Sequence, residues 1–132
     1  MYLSNLQQWG IFILRVGLAA VFLWFGFSQL LDGVNWVSWV PEWAVNFLHL
    51  PPAMIVLLNG AFEIVAGSFL ALNILTRWVA LALALHLVVL VFEIGLTATG
   101  VRDFGLMAAT FALVFLSAGG SSAEMTSAPP NG

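Results

Sequence analysis

Asn59-Gly-Ala-Phe-Glu-Ile-Val-Ala-Gly67 stands in the middle of an apolar run from Ala53 to Leu75. A run of that length suits a hydrocarbon core, which takes about 20 helical residues to cross. Glu63 falls close to its centre. A carboxylate there costs roughly 2.5 to 3.5 kcal/mol even on the mildest insertion scales, so Glu63 must face other helices or water and have a partner. Gly60 and Gly67, at i−3 and i+4 from Glu63, predict that a neighbouring helix comes close on the carboxylate's own face. The fold follows from this stretch: an all-α bundle of membrane helices built round one acidic side chain.

Composition points the same way. Of 132 residues, 62% are hydrophobic and 7% charged, whereas soluble domains carry roughly a quarter charged residues. The chain therefore reads as one domain in contact with the lipid bilayer. A net charge of −3 with no basic patch argues against a nucleic-acid partner. The absence of cysteine excludes thiol nucleophiles, disulfides and thiolate metal ligands. No His/Asp/Glu cluster has metal-ligand spacing and no Gly-rich phosphate loop precedes a helix, so no metal is expected. His49 near the surface and His86 near mid-depth do not make a bis-histidine haem site within one chain. The first fourteen residues hold no Lys or Arg and Arg15 interrupts the apolar run, so the first segment reads as a retained span and not as a cleaved signal.

Four spans are predicted, at about 6–31, 53–75, 78–97 and 102–118, which puts both termini on one side. In the first span Arg15, Ala19, Phe22, Gly26 and Gln29 recur at spacings of four and three, so one helical face carries the charge, the amide and two small residues. That face should point into the bundle. Residues 35–49 read as an interfacial amphipathic segment, with Trp36, Trp39, Trp43 and Phe47 on one face and Asn35, Ser38, Glu42, Asn46 and His49 on the other. Pro41 divides it or supplies the first turn of its second half. An aromatic belt that sets depth is the plainer reading of this segment, and a lid over a ligand is the other. Thr76-Arg77 is the only polar break between the second and third spans, which makes these two helices antiparallel neighbours. Residues 119–132 read as a disordered polar tail. The few basic residues leave a weak orientation signal, from which we expect cytoplasmic termini.

Depth constrains pairing. At about 1.5 Å per residue from the terminal side, Arg15 lies roughly 13 Å deep, Glu63 about 18 Å and His86 about 13 Å. One polar layer of Arg15, Asn59, Glu63 and His86 is expected, with an Arg15–Glu63 ion pair inside it. In that arrangement Glu63 is structural; a Glu63 without the arginine is free to relay protons or hold a ligand. His86, alone among leucines and valines, reads first as a hydrogen-bonded packing residue. A second cluster nearer the opposite surface comprises Glu93, Arg102 and Asp103, with Glu93–Arg102 as an ion pair. Asp103, Thr110 and Ser117 repeat every seven residues and give the fourth span one weakly polar face.

Arg15-Val-Gly-Leu-Ala-Ala-Val-Phe-Leu-Trp-Phe-Gly26, Asn59 to Gly67 followed by Thr76-Arg77, and Val101-Arg102-Asp103-Phe-Gly-Leu together resemble the DoxX family. The resemblance covers about residues 15–118, and Arg15, Glu63, Arg77, Arg102 and Asp103 are the positions that match. The family often has a lysine shortly after the first-span glycine, where this chain has Gln29, and the tryptophan-rich segment has no counterpart among the family's motifs. The resemblance implies a four-helix protein of the bacterial or archaeal inner membrane, a membrane subunit or accessory of a quinone-linked oxidoreductase. It implies no covalently bound cofactor, and a lipid-like or quinone ligand held between helices. The alternatives are a non-catalytic scaffold within a homo-oligomer or larger membrane complex, and a small-solute or proton carrier through Glu63.

Overall fold

The computed structural model describes residues 4–126, with side-chain surroundings described as far as Ser117. Helix α1 (Asn5–Leu31) starts at a capping box, in which Gln7 N donates to Ser4 Oγ and Ser4 N donates to Gln7 Oε1, so two otherwise orphaned amides are satisfied. Its buried side is Leu18, Ala19, Phe22, Gly26 and Gln29, which is the predicted face with Arg15 left half-buried at its near end.

The interfacial segment is not one amphipathic helix. It consists of two 3-10 turns, Gly33–Asn35 and Val37–Trp39, followed by α2 (Glu42–Leu48). Pro41 is responsible. It lacks an N–H and disfavours helical backbone in the residue before it, and Val40 is accordingly extended at φ −76°, ψ 121°. Proline then stands immediately before the first turn of α2.

Three long helices follow: α3 (Pro52–Ala71), α4 (Thr76–Ile94) and α5 (Ala98–Thr126). With α1 they make four helices long and apolar enough to cross a bilayer, running alternately up and down, and no strand occurs among the described residues. We call the side on which α1 begins near and the other far. The far-side turn between α4 and α5 is tighter than predicted. Gly95 ends α4 at φ 72°, and Thr97 Oγ1 accepts from Gly100 N at 3.0 Å, so Thr97 caps a helix that begins before Arg102. A Cβ on Gly100 would lie 1.8 Å from the Gly95 carbonyl oxygen, which only glycine tolerates. At the other end α5 runs to Thr126, past Gly119 where a tail was expected. Helix growth adds a hydrogen bond for each residue fixed, and no proline occurs between Ala98 and Pro129. Residues 127–132 of that expected tail lie outside the described residues.

The helices assemble as two pairs, α1 on α3 and α4 on α5, with narrower α3–α4 and α1–α5 seams. The short α3–α4 turn does make neighbours of these helices, yet the principal partner of α3 is α1, because glycine lines their contact. A Cβ on Gly26 would sit 2.8 Å from Gly60 O, and one on Gly60 would sit 2.9 Å from Gly26 O. Gly67 packs against Ala19 and Leu23 in the same way. Without lipid exclusion to drive association, such close backbone packing is a main source of helix affinity.

Leu18, Phe22, Leu70, Leu83, Leu87 and Leu113 join in an apolar core that fills the near half of the bundle. The outward faces carry exposed Ile13, Phe27, Leu58, Val65, Leu85 and Phe115. Water would penalise such surface, whereas lipid accepts it. The protein is a multi-pass membrane protein in contact with the bilayer. In the far half the two helix pairs do not close on one another.

Candidate functional site

Glu63 is 4% exposed, and its partners come from three helices. Gln29 Nε2 on α1 donates to Glu63 Oε2 at 3.0 Å, and Asn59 Nδ2, one turn back on α3, donates to Glu63 Oε1 at 3.2 Å. Asn59 Nδ2 also donates to Gln29 Oε1 at 2.7 Å, and Gln29 Nε2 to the Phe25 carbonyl at 3.2 Å. From α4, His86 Nε2 lies 3.5 Å from Glu63 Oε1, with its ring edge-on to Phe62. That nitrogen is buried and makes no hydrogen bond. Two amides thus hold the carboxylate where desolvation would otherwise be costly, while the imidazole adjoins it unbonded.

These groups form the inner end of a cavity of about 530 Å³ between the two helix pairs, within the range of sites for drug-sized ligands. Its walls are largely apolar and aromatic, with Phe22 and Phe25 from α1, Ile55 and Val56 from α3, and Leu87 and Leu90 from α4. Asp103 and Arg102 on α5 stand on the far side of the opening. Asp103 is 5% exposed, and its Oδ1 accepts from Arg102 Nη2 and Nε at 3.2 and 3.3 Å. The guanidinium also lies over the Phe25 ring, 5.1 Å from its centroid, a cation–π contact that joins α5 to α1.

The tryptophan segment covers the far-side mouth. Trp36, Trp39, Trp43 and Ala44 all line the cavity. Trp36 Nε1 donates to Ser28 Oγ at 3.1 Å, and Trp43 Nε1 donates to Glu93 Oε1 at 2.6 Å. The segment sits over the cavity, where the lid reading needs it, and Trp39 and Trp43 keep about half their surface exposed, as the belt reading needs.

Both predicted ion pairs are absent. Arg15 does not reach Glu63: its Nη1 donates to the carbonyls of Leu70 and Ala71 at 2.6 and 3.0 Å. The physical reason lies in the end of α3. Ala71 O has no backbone partner there, and a cation satisfies terminal carbonyls and complements the helix dipole. Leu70 is seven residues from Glu63, about 10 Å along the axis. The polar layer therefore contains Asn59, Glu63 and His86, and excludes Arg15. Glu93 and Arg102 do not pair either, because Trp43 takes Glu93 and the buried Asp103 takes Arg102. Asp103 and Thr110 do turn inward as one face of α5, Thr110 Oγ1 donating to Leu106 O. Nor is His86 the hydrogen-bonded packing residue that was expected. Gln29 is the member of the cluster that the depth count left out. The spacing of Ala19, Phe22, Gly26 and Gln29 already put it on the inward face, and an amide fixed there signals a buried polar partner.

The sequence model of the family described as DoxX matches residues 10–96. No curated protein and no solved structure matches the chain.

Proposed function

From the premise that the chain belongs to the DoxX family, we propose that it is a membrane subunit of a quinone-linked oxidoreductase and that its far-side cavity holds the quinone ring. The observation that carries this reading is the combination of aromatic walls with one inner polar cluster, in which His86 Nε2 is buried and unbonded. Phe22, Phe25 and Trp36 offer faces and edges to a planar ring. Gln29, Asn59, Glu63 and His86 offer polar atoms to the ring's substituents. When bound, a quinone supplies two-electron redox chemistry. The protein's own part is to orient the ring, exclude water through the tryptophan lid, and hold the polar end against Glu63 and His86.

The turns at 72–75 and 95–97 are short, so a redox centre would be supplied by a partner subunit docked on the bundle. We place the protein in the bacterial or archaeal cytoplasmic membrane with cytoplasmic termini, which turns the lid to the outer face. The test uses the full chain in lipid nanodiscs. Quinone should co-extract and be found by mass spectrometry, and a short-chain quinone should quench tryptophan fluorescence saturably and raise the melting temperature. Absence of both co-extracted quinone and thermal protection would refute the assignment.

A further inference from the structure

Hydrogen-bonding capacity at the inner end of the cavity is lopsided. Gln29 and Asn59 each bring two amide hydrogens. Those of Gln29 go to the Phe25 carbonyl and Glu63 Oε2, and those of Asn59 go to Gln29 Oε1 and Glu63 Oε1. All four are committed to protein acceptors. Reversing either amide would set an oxygen against the carboxylate, so Glu63 itself determines which way both amides point. The indole hydrogens of Trp36 and Trp43, at the lid, are committed to Ser28 and Glu93 in the same manner.

The unused capacity is that of acceptors. A carboxylate has about four lone-pair sites, and Glu63 receives two amide hydrogen bonds. Asn59 Oδ1 accepts none among the described residues, and a carbonyl oxygen accepts two. His86 Nε2 faces Glu63 Oε1; a proton on that nitrogen is aimed at the carboxylate, and without one the nitrogen is a further acceptor. Apart from the imidazole hydrogen of His86, spare donors lie toward the mouth, where Arg102 Nη1 is not used by Asp103.

We infer that the inner end of this cavity recognises a ring bearing a hydrogen-bond donor, a phenol-type hydroxyl, and so binds the reduced hydroquinone in preference to the quinone. The inference rests on the reading of the cavity as a ring site. A quinone carbonyl placed against Glu63 Oε and Asn59 Oδ1 would meet two acceptor oxygens, and an unmatched polar contact in a desolvated pocket lowers affinity more than a missing apolar one. A hydroxyl donates into the same position.

The test compares three probes of one size on the unaltered protein in nanodiscs under anaerobic conditions: a decyl-substituted hydroquinone, its quinone and its dimethyl ether. The hydroquinone should bind at least about tenfold more tightly than either of the others, the factor that about 1.4 kcal/mol supplies. Glu63→Gln, which exchanges one acceptor oxygen for an NH2 group, should bring the three within about twofold, with the melting temperature measured alongside as the control for folding. Equal binding of hydroquinone and dimethyl ether by the unaltered protein would overturn the inference and leave the ring site standing. Binding of none of the three would overturn both. The probe series needs no substitution, so it decides the matter even where Glu63→Gln fails to fold.

Discussion

Gly26→Ala is the sharpest perturbation of the α1–α3 seam. The added Cβ would lie 2.8 Å from Gly60 O, 3.0 Å from Ile64 N and 2.6 Å from Ile64 Cγ1. The isoleucine methylene can rotate away, but the two backbone atoms cannot. Ordinary contact begins near 3.4 Å, so the helices must part by about 0.6 Å, the difference between 3.4 and 2.8, at this point. The same movement stretches the Gln29–Glu63 bond from 3.0 Å and the Asn59–Gln29 bond from 2.7 Å, and the first then exceeds hydrogen-bonding distance. Overpacking costs roughly 1 to 3 kcal/mol, and a weakened bond to a buried carboxylate adds about 1 to 2 kcal/mol. A loss of about 2 to 5 kcal/mol is expected. The reference is Gly17→Ala in the same helix, whose Cβ meets nothing within 4 Å, and which should gain up to about 1 kcal/mol from helix propensity alone. Reversible unfolding in mixed detergent micelles gives both values on one scale. If Gly26→Ala proves as stable as Gly17→Ala, the close approach of α1 and α3 is wrong, and with it the placement of Gln29 against Glu63.

Arg15→Met should cost about 1.5 to 3 kcal/mol through the two charge-assisted hydrogen bonds it removes from the end of α3. In a double-mutant cycle with Glu63→Gln the coupling should stay under about 0.5 kcal/mol; a coupling several times larger would restore the ion pair that the structure denies. Trp43→Phe removes the hydrogen bond to Glu93 that ties α2 to α4, worth about 1 kcal/mol at this exposed position. Amides of residues 42–48 should then exchange roughly fivefold faster by mass spectrometry, and unchanged exchange would show that α2 is held by other means. Gly100→Ala forces a Cβ onto the Gly95 carbonyl and should destabilise by more than about 2 kcal/mol. Gly105→Ala, with nothing within 4 Å, should not; equal melting temperatures for the two would contradict the tight α4–α5 turn.

How far each of these features was legible depends on the range of the force that produces it. Span lengths, the inward face of α1 and the glycines at i−3 and i+4 from Glu63 follow from the period of the helix and the thickness of the hydrocarbon. Both are local constraints and can be counted along the chain. The break at Pro41 was equally local, since a missing N–H acts on its own turn. The α4–α5 turn was less so, because Thr97 acts as a cap only once Gly95 has taken a positive φ.

Partner choice for the charged groups was not legible. Depth counting put Arg15 and Glu63 within reach of each other, but depth is one coordinate, and pairing needs azimuth and the competing demands of every nearby polar group. The unsatisfied end of α3 drew Arg15 one way, and Gln29 with Asn59 satisfied Glu63 the other. In the same way Asp103 and Trp43 divided Arg102 from Glu93. The amino-acid order determined that four apolar helices would enclose a buried carboxylate between small residues. That α1 would pair with α3 and α4 with α5, leaving an aromatic cavity under a tryptophan lid, was decided by three-dimensional packing. Hydrogen bonds in a medium without water go to whichever donors the packed helices bring within reach, whatever their separation in the chain.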